Sequence, residues 1–251
     1  WGIAGAAYAT IFAQYVSGIG ILLYVLFRCR SLFPERKDLC FDGGILKEIA
    51  GLSSLTCLQQ SVMNFGILMV QGLVNSFGAT TMAAFAAAVK IDTFAYLPVQ
   101  DFGNAYSTFV AQNYGAGNKE RIRRGTKESF AISTAFSLVI SALVFAFAAP
   151  LMQIFVSSAE TAVIASGVRY LRIEGAFYFG IGCLFLLYGY YRAIKRAEMS
   201  VVLTVISLGI RVLLAYVLSA TFLGETGIWM AIPIGWILAD LTGLLYMRKT
   251  W

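Results

Sequence analysis

The chain has 251 residues, of which 59% are hydrophobic and 13% charged, whereas a soluble domain carries about 25% charged residues. With a mean hydropathy of +0.76, no soluble fold could hide this much apolar surface, so the bilayer is the solvent. Nineteen Lys and Arg stand against thirteen Asp and Glu with no histidine, which excludes imidazole catalysis and metal or haem sites built on imidazole.

A membrane span needs roughly 20 mostly apolar residues, and such runs recur along the whole chain. In order, they predict spans over residues 1–27, 52–77, 79–112, 130–155, 162–191, 201–223 and 227–247. The connections are too short for a soluble domain, and a backbone in lipid must satisfy its own polar groups, so each span is a helix. The predicted fold class is all-α, a polytopic helical membrane protein with about seven transmembrane helices.

The first span opens on Trp1 rather than Met and lacks the basic flank and cleavage pattern of a signal peptide, which predicts further chain upstream. Residues 29–51 follow as a linker containing Pro34 and Gly43-Gly44, then ILKEIAGL with apolar residues at helical spacing. The linker is either solvated throughout or ends in a short interfacial helix. Cys29, Cys40, Cys57 and Cys183 show no C-x-x-C spacing, which predicts reduced, structural thiols.

The second span carries Gln59, Gln60, Asn64 and Gln71. The third is the most polar: KIDTFAYLPVQDFGNAYSTFVAQN places Lys90, Asp92, Asp101 and Asn104 around Pro98. Proline removes a backbone donor and frees a carbonyl one turn earlier, near Phe94, so a helix broken at Pro98 and a hinge there are expected. Asp101 and Asn104 share a face at i, i+3.

In the fifth span, Arg172 and Glu174 are two residues apart and do not face each other, so each needs its own partner or a wet cavity. Its aromatic series of Phe177, Tyr178, Phe179, Phe185, Tyr188, Tyr190 and Tyr191 either lines a pocket for flat cations or faces lipid. Arg211 in the sixth span requires a partner from another helix, with Asp240 of the seventh and Glu174 as candidates. Ionisable groups at membrane depth are costly and are functional candidates by default. The candidate pathway set is therefore Gln60, Asn64, Lys90, Asp92, Asp101, Asn104, Glu174, Arg211 and Asp240, with structural pairing as the alternative for each.

Basic residues fix a predicted orientation. Arg28, Arg30, Arg36, Lys37 and Lys47 follow the first span, Lys119 to Lys127 the third, Arg192, Lys195 and Arg196 the fifth, and Arg248 and Lys249 the last. The alternate connections have no Lys or Arg. That pattern places the carboxy terminus in the cytoplasm and explains the net charge of +6 without nucleic acid. The first and last spans begin alike, Gly2, Ile3 and Ala6 aligning with Gly227, Ile228 and Ala231. Six helices separate these points, as in two six-helix lobes related by an axis along the membrane normal.

There is no G-x-x-x-x-G-K-[ST] loop for ATP, no closely spaced carboxylate pair on one helix for Mg²⁺-pyrophosphate chemistry, and no catalytic constellation, so no enzyme is expected and no metal site. Three segments, GIAGAAYATIFAQ, AAFAAAVKIDTFAYLPVQDFGNAYSTFVAQNYGAGNKERIRRG, and YYRAIKRAEMS with GIWMAIPIGW, resemble multidrug and toxic compound extrusion (MATE) transporters from their sixth helix to their twelfth. FVAQNYGAGNKERIRRG is the most specific of these.

The resemblance implies a secondary active antiporter in the plasma membrane that exports amphipathic or cationic small molecules in exchange for Na⁺ or H⁺, with no other cofactor. Residues 1–28 would be the last helix of a missing amino-terminal lobe, 29–51 the cytoplasmic connection, and 52–251 the second lobe. The other expected partners are the small-molecule substrate and membrane lipid. Some family members hold a cation in this lobe on acidic residues of helices seven and ten; here those positions fall at Gln60 or Ser61 and near Ile181, so coupling through them is not expected, and the resemblance to other members implies a coupling carboxylate in the first lobe instead. Alternatives are a lipid-linked substrate flippase of the same superfamily, suggested by Lys90, Arg172 and Arg211, and a non-transporting membrane scaffold in which every buried charge is paired.

Overall fold

The computed structural model describes residues 2–29 and 40–250. Pro34, Arg30, Arg36, Lys37 and the middle of the 29–51 linker lie outside the described residues, as do the side chains of Ile3 and Ala6. Among the described residues the fold is all-helical: α1 Gly2–Arg28, α2 Gly43–Ser76, α3 Ala79–Gly115, α4 Lys119–Phe155, α5 Thr161–Gly175, α6 Tyr178–Ala193, α7 Ala197–Ser219 and α8 Glu225–Thr250. Six of these are long and apolar enough to cross a membrane, seven if the bent pair α5 and α6 is counted as one span. The chain divides into two compact units, Trp1–Glu48 and Ile49–Trp251. In the first, the large side chains of α1 are exposed, Phe12 at 71% and Tyr15 at 68%.

The short interfacial helix expected from ILKEIAGL does not stand apart. Asp42 Oδ1 accepts from the amides of Gly44 and Ile45 at 2.7 and 3.2 Å, capping a helix that continues without interruption to Ser76. At 1.5 Å per residue its 34 residues run about 50 Å, well beyond the roughly 30 Å hydrocarbon core.

The break expected at Pro98 is also absent, since α3 runs through it from Ala79 to Gly115. Its buried stripe, Phe85, Ala88, Asp92, Ala95, Val99, Gly103, Tyr106 and Val110, keeps helical register on both sides of the proline. Pro98 itself points out of this stripe, beside Phe94 at 76% exposure, so packing on the other face holds the helix straight where one hydrogen bond is missing.

The interruption occurs instead in the span predicted as one helix over 162–191. Here α5 and α6 meet at 52°, with Phe177 leaving helical geometry at φ −117°, ψ 18°. The Phe177 amide returns to the Glu174 carbonyl at 2.9 Å and the Gly180 amide to Phe177 at 2.8 Å, so the backbone stays satisfied through the bend. A smaller departure lies in α4 at Phe147, one turn ahead of Pro150.

The turn between α3 and α4 gives a physical basis to the motif YGAGNKERIRRG. Gly117 has φ 69°, a conformation that costs glycine nothing, and Asn118 caps α4 by accepting from the Arg121 amide at 3.1 Å.

In the second unit the helices pack through small residues, as membrane helices do in the absence of a hydrophobic driving force. A Cβ on Gly189 of α6 would lie 2.7 Å from the Gly103 carbonyl oxygen of α3, and one on Gly235 of α8 would lie 2.3 Å from the Ser207 carbonyl of α7. Gly182 of α6 faces Ser133 and Ser137 of α4. Between these contacts Phe85 stacks on Trp229 with centroids 5.5 Å apart, and Tyr170 meets both edge-on.

Candidate functional site

Asp92 and Glu174 meet in the interior of the second unit. Asp92 lies thirteen residues past the start of α3 and Glu174 thirteen past the start of α5, each about 20 Å along its helix. Asp92 is 2% and Glu174 6% exposed, and their carboxyl groups are near enough to act on each other. Two tyrosines close the site. The Tyr178 hydroxyl of α6 donates to Asp92 Oδ1, and Tyr170 of α5 faces both carboxyls. Arg211 of α7 acts on both as the nearby cation.

These groups are not all satisfied. Asp92 Oδ2, Glu174 Oε2 and Arg211 Nε are buried and have no hydrogen-bond partner among the described residues. A buried polar atom without a protein partner costs about 1–3 kcal/mol, more if charged. Of the partners predicted for Arg211, Glu174 rather than Asp240 is the one whose carboxyl feels its charge, without a direct ion pair among the described residues. Asp240 faces the Cys183 thiol instead and keeps its own Oδ1 unpartnered.

The remaining sequence candidates lie elsewhere. Gln60, Asn64, Lys90, Asp101 and Asn104 are exposed in this unit; the buried glutamine of the second span is Gln59, at 5%. Asn104 Oδ1 accepts from Arg192 Nη2 at 3.3 Å. Lys90 borders a shallow cavity with Phe155, Ser157 and Glu160. Arg172 sits over the Phe145 ring at 5.3 Å, away from Glu174. The α6 aromatics do not form one pocket: Tyr178 serves Asp92, Tyr191 donates to the Gly243 carbonyl at 2.7 Å, and Phe179 is exposed. The four cysteines are free thiols.

Two features were not foreseen. Tyr170 carried no signal in a tyrosine-rich chain and is identified only by its neighbours. Glu225, in the first turn of α8, accepts from Thr81 at 2.8 Å and Ser166 at 3.1 Å and pairs with Arg169 at 3.3 Å. It ties three helices together at their ends.

The MatE family model matches residues 55–217. The probable multidrug resistance protein YpnP of Bacillus subtilis is 30% identical over 250 residues, covering 98% of this chain and 55% of its own length. The probable multidrug resistance protein NorM of Thermotoga maritima is 28% identical over 248 residues, covering 98% and 53%. A solved MOP superfamily transporter from Pyrococcus furiosus has the same fold, with a TM-score of 0.90 at 24% identity over 100% of this chain and 56% of its own. The chain spans about half the length of the curated relatives it matches.

Proposed function

Since this chain belongs to the MatE family, a family of membrane transporters and not of enzymes, we propose that it forms the carboxy-terminal half of a secondary antiporter exporting amphipathic or cationic small molecules in exchange for Na⁺ or H⁺. Residues 52–251 form the second lobe, 1–28 the last helix of the first, and an amino-terminal lobe completes the substrate path. The protein sits in the plasma membrane with its carboxy terminus in the cytoplasm, an orientation supported by the basic residues on alternate connections.

The observation that carries this reading is the Asp92, Glu174 and Arg211 cluster. Ionisable groups buried at membrane depth and left short of partners suit a protein that binds and releases an ion there. They argue against the scaffold reading, which needs every buried charge paired. Exposed Gln60, Asn64, Asp101 and Asn104 supply a polar surface for the substrate path, and Pro98, carried without a break, is its candidate hinge. The flippase reading is weakened because Arg172 lies over a phenyl ring and Arg211 against two carboxyls, leaving Lys90 as the cation open to a lipid phosphate.

Proteoliposomes holding the full-length protein test the proposal. An inward Na⁺ or H⁺ gradient should drive efflux of a fluorescent cationic dye. A folded protein that moves no dye under either gradient would falsify the antiporter and favour the flippase.

A further inference from the structure

We propose that the second unit binds the phosphate headgroup of an anionic phospholipid where the ends of α3, α4, α6 and α7 converge, whatever the protein transports. A cavity of about 700 Å³ opens there, lined by Tyr114 of α3, Lys119, Glu120 and Arg123 of α4, Tyr190 of α6, and Arg196 at the start of α7. Its volume lies within the roughly 300–1,000 Å³ of small-molecule sites. Three cations stand there against one acid, so the cavity favours an anion.

The cations are held together at a cost. Lys119 and Arg123 stand at i, i+4 on one face of α4, where like charges repel, and Lys119 opens that helix, where a positive charge opposes the backbone dipole. Arg196 comes from the turn between α6 and α7. Its Nη1 donates to the Tyr246 hydroxyl of α8 at 2.6 Å, and its guanidinium lies 5.8 Å from that ring. The residue before it, Lys195, is the one non-glycine residue with positive φ among the described residues, at 60°. This left-handed turn brings Ile194 and Arg196 to the same cavity from either side of it. Neither Lys119 nor Arg196 forms an ion pair among the described residues.

The donor set suits a phosphate, since a guanidinium fork matches two of its oxygens and an ammonium binds it as a point charge. The rest of the lining suits a lipid over a free phosphate. Ile122 and Ile194 supply a buried apolar wall, and the two tyrosines are amphipathic rings of the kind found at headgroup level. The cavity also lies at the ends of helices long and apolar enough to cross a membrane, which is headgroup depth. Basic pockets between membrane helices take anionic headgroups. A bound headgroup relieves the repulsion between Lys119 and Arg123 and joins four helix ends.

The test is a titration of the full-length protein in mild detergent with phosphatidylglycerol, bound lipid being counted by native mass spectrometry. Phosphatidylglycerol should bind saturably and phosphatidylcholine should not. Lys119→Gln combined with Arg196→Gln should weaken binding roughly 25-fold, a factor of about five for each cation removed. Arg124→Gln, at the same end but paired with Glu128 outside the cavity, should leave binding unchanged. Lys119→Gln alone, at an exposed position, should weaken binding about fivefold, and it serves where the double variant does not fold.

Binding weakened as much by Arg124→Gln as by Lys119→Gln assigns the effect to diffuse surface charge and overturns the site, as does binding unchanged in a folded Lys119→Gln protein. Displacement of the lipid by inorganic phosphate gives the cavity to the free anion and overturns the lipid. Failure of phosphatidylglycerol to bind saturably overturns it equally. None of these outcomes depends on dye efflux, so the headgroup site and the antiporter reading stand or fall separately.

Discussion

Two carboxylate centres in the second unit are built from the same kinds of residue and differ in one respect. Glu225 gives both oxygens work, Oε2 to the hydroxyls of Thr81 and Ser166 and Oε1 to Arg169, while Asp92 and Glu174 face each other with an oxygen apiece left over. The first centre is complete without any outside species and stands at a helix N-terminus, where the backbone dipole favours its charge. The second keeps two buried carboxyl oxygens without a protein partner.

The largest expected effect comes from removing the cation of the incomplete centre. Arg211→Met leaves two buried carboxyls without a counter-charge and should lower stability by about 3 kcal/mol or more, seen as a fall in the thermal midpoint of the detergent-solubilised protein. Tyr178→Phe deprives Asp92 of its donor and should cost about 1–3 kcal/mol in the same assay.

At the complete centre Glu225→Gln keeps the shape but weakens three contacts and loses a charge at the start of α8, for about 1 kcal/mol. Arg169→Ala, whose side chain is 52% exposed, should change the midpoint by no more than the roughly 0–1 kcal/mol typical of a surface ion pair. Glu174→Gln sharpens the contrast most. It relieves a carboxyl contact, so stability should stay nearly unchanged while pH-driven efflux is lost, and a midpoint drop as large as that of Arg211→Met would erase the distinction between the centres.

How much of this was legible beforehand follows from range. The seven spans and the all-helical class came from composition and run length, which are local. Asp92, Glu174 and Arg211 stood out singly because ionisable residues in an apolar run are rare. That Asp92 faces inward was written in its stripe, since Ala88, Ala95 and Val99 lie at helical spacing from it.

Which charges lie near one another was not legible, because Asp92, Glu174 and Arg211 stand on helices far apart in sequence. Asp240 and Glu174 were equal candidates for Arg211 until packing separated them. Helix interruption was misplaced for a related reason. Proline is a visible breaker, but α3 continues through Pro98, whereas the bend after Gly175 has no proline and lies where α5 and α6 meet different neighbours, α5 against α3, α4 and α8 and α6 against α3, α4, α7 and α8. Gln60 against Gln59 shows the limit of resolution, as one residue along a helix turns a side chain by about 100°.

The bare contact of Gly103 with Gly189 has a geometric consequence. With a carbonyl oxygen where a side chain would stand, α3 and α6 approach backbone to backbone, and Asp92 and its Tyr178 donor lie on these two helices. Glu174 rides on the far side of the 52° joint, on the other arm. The bend at residues 175–177 thus divides the buried acids between its two arms, the tyrosine donor of Asp92 on one side and Glu174 on the other.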